Sequence, residues 1–172
     1  MSDWSLRLAR AEDADHLPAI ELAAGSLFSR DPDLKNVDFE DVWTADEHRG
    51  LIAKGHCLVA FVGEHYAGFL TAEPFKRELH IWEMSVHPDF QKRGVGAGLL
   101  RANMIDARNA GFSALTLTTF RDVPWNGPFY ERLGFAEIGD LAAHPRLAAE
   151  LTEEARHGLP RERRCAMIHF LS

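Results

Sequence analysis

Cysteine is scarce: Cys57 and Cys165 are the two in 172 residues, far apart in the chain. They form neither a C-x-x-C redox pair nor a metal-ligand spacing. Each is flanked by strand-like apolar residues and reads as a buried thiol of a reducing compartment, with a disulfide between them left open. Long apolar runs are missing too. None approaches the roughly 20 residues that span a bilayer, so no membrane segment is expected. Met1-Ser2-Asp3-Trp4 lacks the basic region and apolar stretch of a targeting signal, which makes the cytoplasm the expected location. Positive charge is in deficit, with 19 Lys and Arg against 26 Asp and Glu and a net charge of -7. That disfavours nucleic acid as a general partner, because a phosphate-binding surface needs a concentrated basic face. An acidic chain suits a cationic substrate, and equally a solvated acidic surface. The histidines are not spaced with carboxylates as a ligand set, so no metal is expected.

What is present describes one domain. At 46% hydrophobic and 26% charged, residues 1–172 can bury a single substantial core. Residues 6–9 alternate enough for a short strand. Asp13 can cap a helix whose apolar positions Leu17, Ile20 and Leu22 to Ala24 recur at helical spacing. Residues 29–40, rich in Asp, Pro and Asn, read as a loop of the kind that lies over an active site. A helix is expected over 46–54 with Gly55 as its stop. Strands 57–62 and 66–72 pair through a turn at Gly63-Glu64-His65, and a third strand covers 79–86. A long helix runs from Gly96 to about Ala110, followed by a strand over 114–119 and a helix over 125–133. Gly134-Phe135 reads as a helix stop plus a core anchor, and Ala136 enters another strand. Within 139–163 the stretch Leu147 to Leu151 is helical. Arg161, Arg163 and Arg164 read as a solvated lead-in to a closing strand over 165–170. The order alternates α and β without repeats, an α/β (α+β) class.

Residues 83–100 carry the most chemistry. Glu83-Met84-Ser85-Val86 reads as strand, His87-Pro88-Asp89-Phe90 as turn, and Gln91-Lys92-Arg93-Gly94-Val95-Gly96 as a glycine-punctuated loop opening a helix at Ala97. Two glycines one residue apart let the backbone approach a ligand without Cβ interference. The main-chain N–H groups exposed there, at the positive end of a helix dipole, suit phosphate. Lys92 and Arg93 add positive charge, and the reading is a pyrophosphate cradle. The dinucleotide fingerprint would need a glycine where Leu99 stands, and no Gly-Lys-Ser or Gly-Lys-Thr exists for a P-loop.

The Q-x-R-G-x-G pattern after Val86-His87-Pro88 resembles the acetyl-CoA-binding motif of the GNAT superfamily of N-acetyltransferases. The resemblance extends over nearly the whole chain. It implies a mixed central sheet of about seven strands with flanking helices, and acetyl-CoA as acyl donor. It also implies cofactor contacts from Met84, Ser85 and Val86 on the strand, from Gln91 through Gly96 in the loop, and from Ala97 on the helix. A second segment, Asn126-Gly127-Pro128-Phe129-Tyr130 through Gly134-Phe135, resembles the family pattern N-x-x-x-x-F-Y-x-x-x-G-F with a shorter spacing after Asn126. Asn126 and Tyr130, four apart, project from one helix face and join the cofactor set. Asn126 also reads as a plain N-cap, and Tyr130 as a core aromatic.

Amine acetylation needs a neutral amine, a donor to the carbonyl oxygen and a proton for the departing thiolate. The resemblance places the oxygen donors on strand amides at Met84 to Val86, where a bulge splays the strand and admits the pantetheine arm. It makes Tyr130 the acid, a phenol protonated at neutral pH. For the base, His80 occupies the place of a histidine that faces substrate in aralkylamine-type members. Glu83, Glu73 and a water chain stand as rivals. By alternation His80, Trp82, Met84 and Val86 share one face, with Ile81, Glu83 and Ser85 on the other. Phe28, Phe39, Trp43, Phe75 and Trp82, with Asp31, Asp33, Asp38, Glu40 and Asp41, suggest a small cationic amine as partner. A peptide or protein acceptor, a non-catalytic acyl-CoA sensor and a regulator binding another nucleotide stay open. An exposed closing strand could pair across a homodimer.

Overall fold

Long β-rich runs in the middle of the chain give the computed structural model its frame, described for residues 3–171. The strands are β1 (Trp4–Leu8), β2 (Leu58–Val62), β3 (His65–Phe75), β4 (Glu78–Val86), β5 (Ala114–Phe120), β6 (Ala136–Glu137) and β7 (Arg164–Phe170). They form one seven-stranded sheet in the order β1-β2-β3-β4-β5-β7-β6. All neighbours are antiparallel except β4 and β5, which are parallel. The expected mixed sheet is present. The helices are α1 (Leu17–Gly25), α2 (Ala45–Ile52), α3 (Val95–Asn109), α4 (Gly127–Arg132) and α5 (Pro145–Arg156).

The sheet is covered on both faces. Val95, Leu99, Leu100 and Ala107 recur on one stripe of α3 and meet Leu70, Leu79, Ile81 and Leu115 in the largest core, which also takes Tyr130 and Phe135. Leu17 and Ile20 of α1 and Leu51 and Ile52 of α2 close over Val59 and Phe69 on the other face. Phe69 is fully buried, which contributes about 2–3 kcal/mol relative to exposure. α5 seals the far end through Leu147 and Leu151 against Ala166. α2 begins with a capping box: Thr44 Oγ1 accepts from Glu47 N at 3.1 Å, and Glu47 Oε1 accepts from Thr44 N at 3.0 Å.

Several expectations are corrected by packing. Asp13 caps no α-helix; it lies in a 3-10 turn before α1. Fully buried, it accepts from Arg7 at 2.7 and 3.0 Å, Tyr66 Oη at 2.6 Å and Arg10 N at 2.7 Å. Burial alone would raise its pKa, but those donors hold it down to about 2. The 29–40 loop begins in a 3-10 turn, Ser26–Arg30, contains another, Pro32–Leu34, and anchors buried Leu34 against Phe120 and Val123. Of the basic residues leading into β7, Arg161 is exposed as expected, but Arg163 and Arg164 are not solvated. Arg163 makes a two-pronged pair with Asp31 at 2.9 and 2.7 Å and reaches Asp122 at 3.0 Å. Arg164 pairs with Glu154 at 3.0 Å and lies over the Phe120 ring at 4.6 Å. Nor is β7 an edge: it pairs with β5 along its length and with β6 at Met167 and Ile168.

One irregularity decides which side chains face which helices. The β3–β4 register passes from Thr71↔Glu83 to Ala72↔Ile81, leaving Trp82 without an opposite residue. A bulge of this kind adds one residue and inverts the alternation beyond it. Leu79, Ile81, Met84 and Val86 therefore all pack under α3, while Trp82 packs with the α1/α2 cluster. The alternation expected from sequence, with the bulge near Met84, is corrected here: the bulge comes earlier, so Met84 and Val86 do not share a face with His80 and Trp82.

Candidate active site

The segment after β4 is held by its own side chains. Gln91 Nε2 donates to Val86 O at 2.8 Å, and His87 Nδ1 accepts from Asp89 N at 3.1 Å. Lys92 (φ 63°) and Gly94 (φ 84°) then take left-handed conformations that turn the chain into α3. Gly94 occupies the N-cap position, which carries no side-chain cap, and Gly98 is the first to donate into the helix, to Gly94 O at 2.9 Å. Among the described residues nothing accepts from the N–H groups of Val95, Gly96 and Ala97. Three orphan donors at a helix start are an anion site. The Arg93 guanidinium is engaged elsewhere, 2.5 Å from Asp3 and over the Phe90 ring, so its charge does not point at those amides. Trp4 Nε1 holds Arg93 O at 2.8 Å, and the Trp4 ring lies so close to Gly98 that a Cβ there would stand 2.1 Å from it.

The second feature is a gap in the sheet. β4 and β5 pair only at Glu78↔Ala114, Leu79↔Leu115 and His80↔Thr116. β5 continues with β7 as far as Phe120↔Arg164, while Ile81 to Val86 keep β3 as their only strand neighbour. The two strands thus splay beyond His80 and leave main-chain groups of β4 uncovered. Met84, Val86 and Phe129 line the approach to Gly96 at 3.7–3.8 Å from where its Cβ would stand. That is ordinary contact, so a methyl group would fit at Gly96 without displacing its neighbours.

Tyr130, on α4, is buried in the core against which Met84 and Val86 pack. Its ring packs against Phe129 and Phe135 at 5.4 and 5.6 Å. Burial, with the Glu83 charge adding to it, pushes the phenol pKa well above the ordinary value, so it stays protonated. Asn126 does stand at the N-cap of α4, yet its side chain caps nothing and donates to Trp125 O at 2.9 Å.

His80 is brought elsewhere. It is buried, with Nδ1 2.8 Å from Thr116 Oγ1 and 3.1 Å from Arg146 Nη1 of α5. Arg146 also pairs with Glu78 at 2.8 Å and lies over Phe75 at 4.5 Å. Burial first, then the Arg146 charge, push the imidazole down to about 3, so it does not take up a proton near neutrality. That setting argues against His80 as the group that takes the amine's proton. Glu73 is likewise committed, to Lys54 and to Trp82 Nε1 at 2.9 Å. Glu83 differs. Its oxygen accepts from Ser85 Oγ at 3.0 Å, and its carboxyl is raised above the ordinary range by burial and then by the charge of Glu21.

Of the expected amine-pocket residues, Trp43 and Trp82 meet at 5.6 Å beside His48 and Glu21. Phe28 and Phe39 stack on each other and on Phe120 instead, and Asp31 is taken by Arg163. Glu21 and His48 were not singled out from sequence. The available signal was a histidine on the apolar stripe of α2, at 48 with Leu51 and Ile52. Cys57 and Cys165 are free, buried thiols, raised by burial to about 11 and about 12. His157 pairs with Glu153 at 3.0 Å on the exposed side of α5; among the described residues no three potential ligands cluster for a metal. Among them, too, no helix is long and apolar enough to cross a membrane.

Known proteins resemble this chain in sequence and fold. A mycothiol acetyltransferase from Propionibacterium freudenreichii subsp. shermanii is 27% identical over 162 residues, covering 90% of this chain; the chain spans 50% of that relative's length. The PaiA N-acetyltransferase of Thermoplasma acidophilum, solved with coenzyme A, has a TM-score of 0.73 at 14% identity, covering 99% of each chain. A GNAT family acetyltransferase from Brucella melitensis in complex with acetyl-CoA reaches 0.59 at 22% identity, over 77% of this chain and 82% of its own. At such identities the structural likeness speaks for the fold. The model of the Acetyltransferase (GNAT) family matches residues 20–135, more than half of the sequence, and the chain belongs to that family.

Proposed function

We propose that the chain moves an acetyl group from acetyl-CoA to a primary amine of a small molecule by direct attack within a ternary complex. The observation that carries this reading is the set of open amides at Val95, Gly96 and Ala97, facing the end of a strand that has left its neighbour. Those amides, with Gly94 and Lys92 beside them, hold the diphosphate. Gln91 and Arg93 serve by holding the loop, through Val86 O and Asp3. Main-chain groups of Met84, Ser85 and Val86 replace the missing strand partner by pairing with the pantetheine arm. One of their N–H groups meets the carbonyl oxygen as charge develops there.

Glu83 takes the proton from the ammonium, and the freed nitrogen lone pair forms the new N–C bond. As the C–S bond breaks, the Tyr130 hydroxyl gives its proton to the sulfur, and the second proton that the attacking nitrogen sheds on becoming an amide returns to the Tyr130 oxygen. Tyr130 suits this because its environment opposes the phenolate until an acceptor as basic as a thiolate arrives. A covalent acyl-cysteine is disfavoured by the two buried thiols, whose raised pKa values leave little thiolate near neutrality. Two buried free thiols also support a reducing compartment such as the cytoplasm.

The test is a panel of small amines and short peptides, read by release of free thiol from acetyl-CoA. Turnover of small amines with undetectable turnover of peptides supports the reading. Tight coenzyme binding with no turnover for any acceptor points to a sensor and removes the enzymatic part.

A further inference from the structure

Three ionisable side chains from three elements converge under the α1/α2 layer. Glu83 projects from β4 at the bulge, in register with Thr71 of β3. Glu21 comes from α1 and His48 from α2, with His48 Nε2 3.5 Å from Glu21 Oε1. His48 is fully buried, and neither of its ring nitrogens has a hydrogen-bond partner; the Thr71 hydroxyl is in the same condition. Glu21 is anchored by the Trp43 main-chain N–H at 3.3 Å and remains 12% exposed at the side chain. Trp43 and Phe69 wall the imidazole at 6.2 and 5.1 Å. A fold that only needed filling here would place an apolar side chain at 48, since a buried imidazole without partners is costly.

We propose that Glu21 and His48 are positioning residues for Glu83: they hold the proton that Glu83 removes from an incoming ammonium and pass it outward past Glu21. This rests on the reading of Glu83 as base. The balance is simple. The ammonium gives one proton to the Glu83 carboxylate. His48, neutral, takes that proton on its bare nitrogen and releases the one on its other nitrogen to Glu21. Glu21 gives it up toward solvent, where exposed Asp41 and Glu47 lie. No net charge is left on the imidazole. The substrate class implied is an amine that arrives protonated, since a neutral amine would not need the outlet.

Electrostatics support the arrangement. Glu83 is faced by Glu21, His48, Arg164 and Tyr130, and by the Ser85 hydroxyl on its own strand. Glu21 is faced by Glu47 and Asp41. Burial and the mutual repulsion of the two carboxylates raise both above the ordinary glutamate range, so near neutrality the pair holds a proton in common. Burial keeps His48 neutral, although the charges of Glu83 and Glu47 oppose it.

The test is a carboxyl-carbon NMR titration of the full chain without ligands, paired with pH profiles of kcat/KM. In the unaltered protein two glutamate carboxyls, assigned by their loss in Glu83→Gln and Glu21→Gln, are expected to titrate above the ordinary range. In Glu21→Gln the Glu83 midpoint falls by about one pH unit, and the acid limb of kcat/KM moves down with it. His48→Gln lowers kcat about tenfold with the KM for acetyl-CoA unchanged. Should both carboxyls of the unaltered protein titrate in the ordinary range, the proposal is overturned whether or not the variants fold. A Glu83 midpoint unmoved by folded Glu21→Gln, or a full kcat in His48→Gln, overturns it as well. Coupled carboxyls in a protein that acetylates no amine would instead sink the enzymatic reading and leave the cluster standing.

Discussion

The loop before α3 and the cluster around Glu83 both adjoin the closing half of β4, yet they keep their working groups in opposite states. In the loop, N–H groups of consecutive residues stand open without acceptors, and the adjacent side chains are mostly exposed. Around Glu83, itself partly buried, ionisable groups from α1, α2, β4 and β7 face one another. An anion is gripped by donors that it can reach, so access matters. A carboxylate that must hold a proton near neutrality needs seclusion and a like charge, so enclosure matters. The first half is local in sequence, and the second is assembled from residues 21, 48, 83 and 164.

Substitutions in the loop should cripple one half alone. Gly96→Glu, which places a carboxylate among the orphan amides, is expected to weaken acetyl-CoA binding at least roughly 100-fold by calorimetry. Gly96→Ala meets only ordinary contacts and should bind within a few-fold of the parent. Equal losses in the two would show that space, and not charge, governs the cradle. Tyr130→Phe sharpens the contrast from the other side: kcat falls roughly 100-fold while coenzyme affinity holds. Among the described residues its hydroxyl makes no hydrogen bond, so stability should change by less than about 1 kcal/mol. A variant that loses affinity along with turnover would return Tyr130 to the core.

Stability against pH tests buried charge in two opposite settings. Asp13 has a folded pKa near 2 against an ordinary 3.8, so its contribution is present above 3.8 and disappears as pH falls through about 2. Asp13→Asn should cost about 2 kcal/mol by urea unfolding at neutral pH. Glu21 and Glu83 act with the reverse sign. Their folded pKa values are raised, so the folded chain holds protons that the unfolded chain has released above 4.5, and stability declines as pH rises beyond it. Glu83→Gln is expected to flatten that decline, and an unchanged slope would show the carboxylate solvated. The smallest effect belongs to His80→Gln. It should cost about 1 kcal/mol through its bonds to Thr116 and Arg146, with the acid limb of kcat/KM unmoved. A shifted limb would restore His80 as the base.

Much of the architecture was legible, for reasons that can be named. The β2–β3 and β3–β4 pairs are sequence neighbours joined by short turns, and their apolar density marks them without outside help. The helix stops at Gly55 and Gly134 and the start of α3 follow from backbone requirements of a few residues. The surroundings of His80 were not legible, because Arg146, 66 positions away, packs against the ring only in the folded chain. Arg163 and Arg164 were misread because their partners Asp31, Asp122 and Glu154 come from other elements. The facing of β4 failed by one bulged residue, Trp82, which reverses every side chain beyond it.

By itself the sequence determined the glycine loop read here as a coenzyme cradle, since orphan amides at a glycine-punctuated helix start need only a short run of backbone. It also determined the strand and helix order, because hydrophobic period is a property of neighbouring residues. Tertiary structure alone decided which carboxylate and which imidazole meet, because burial and charge pairing arise between segments that the chain keeps apart until it folds.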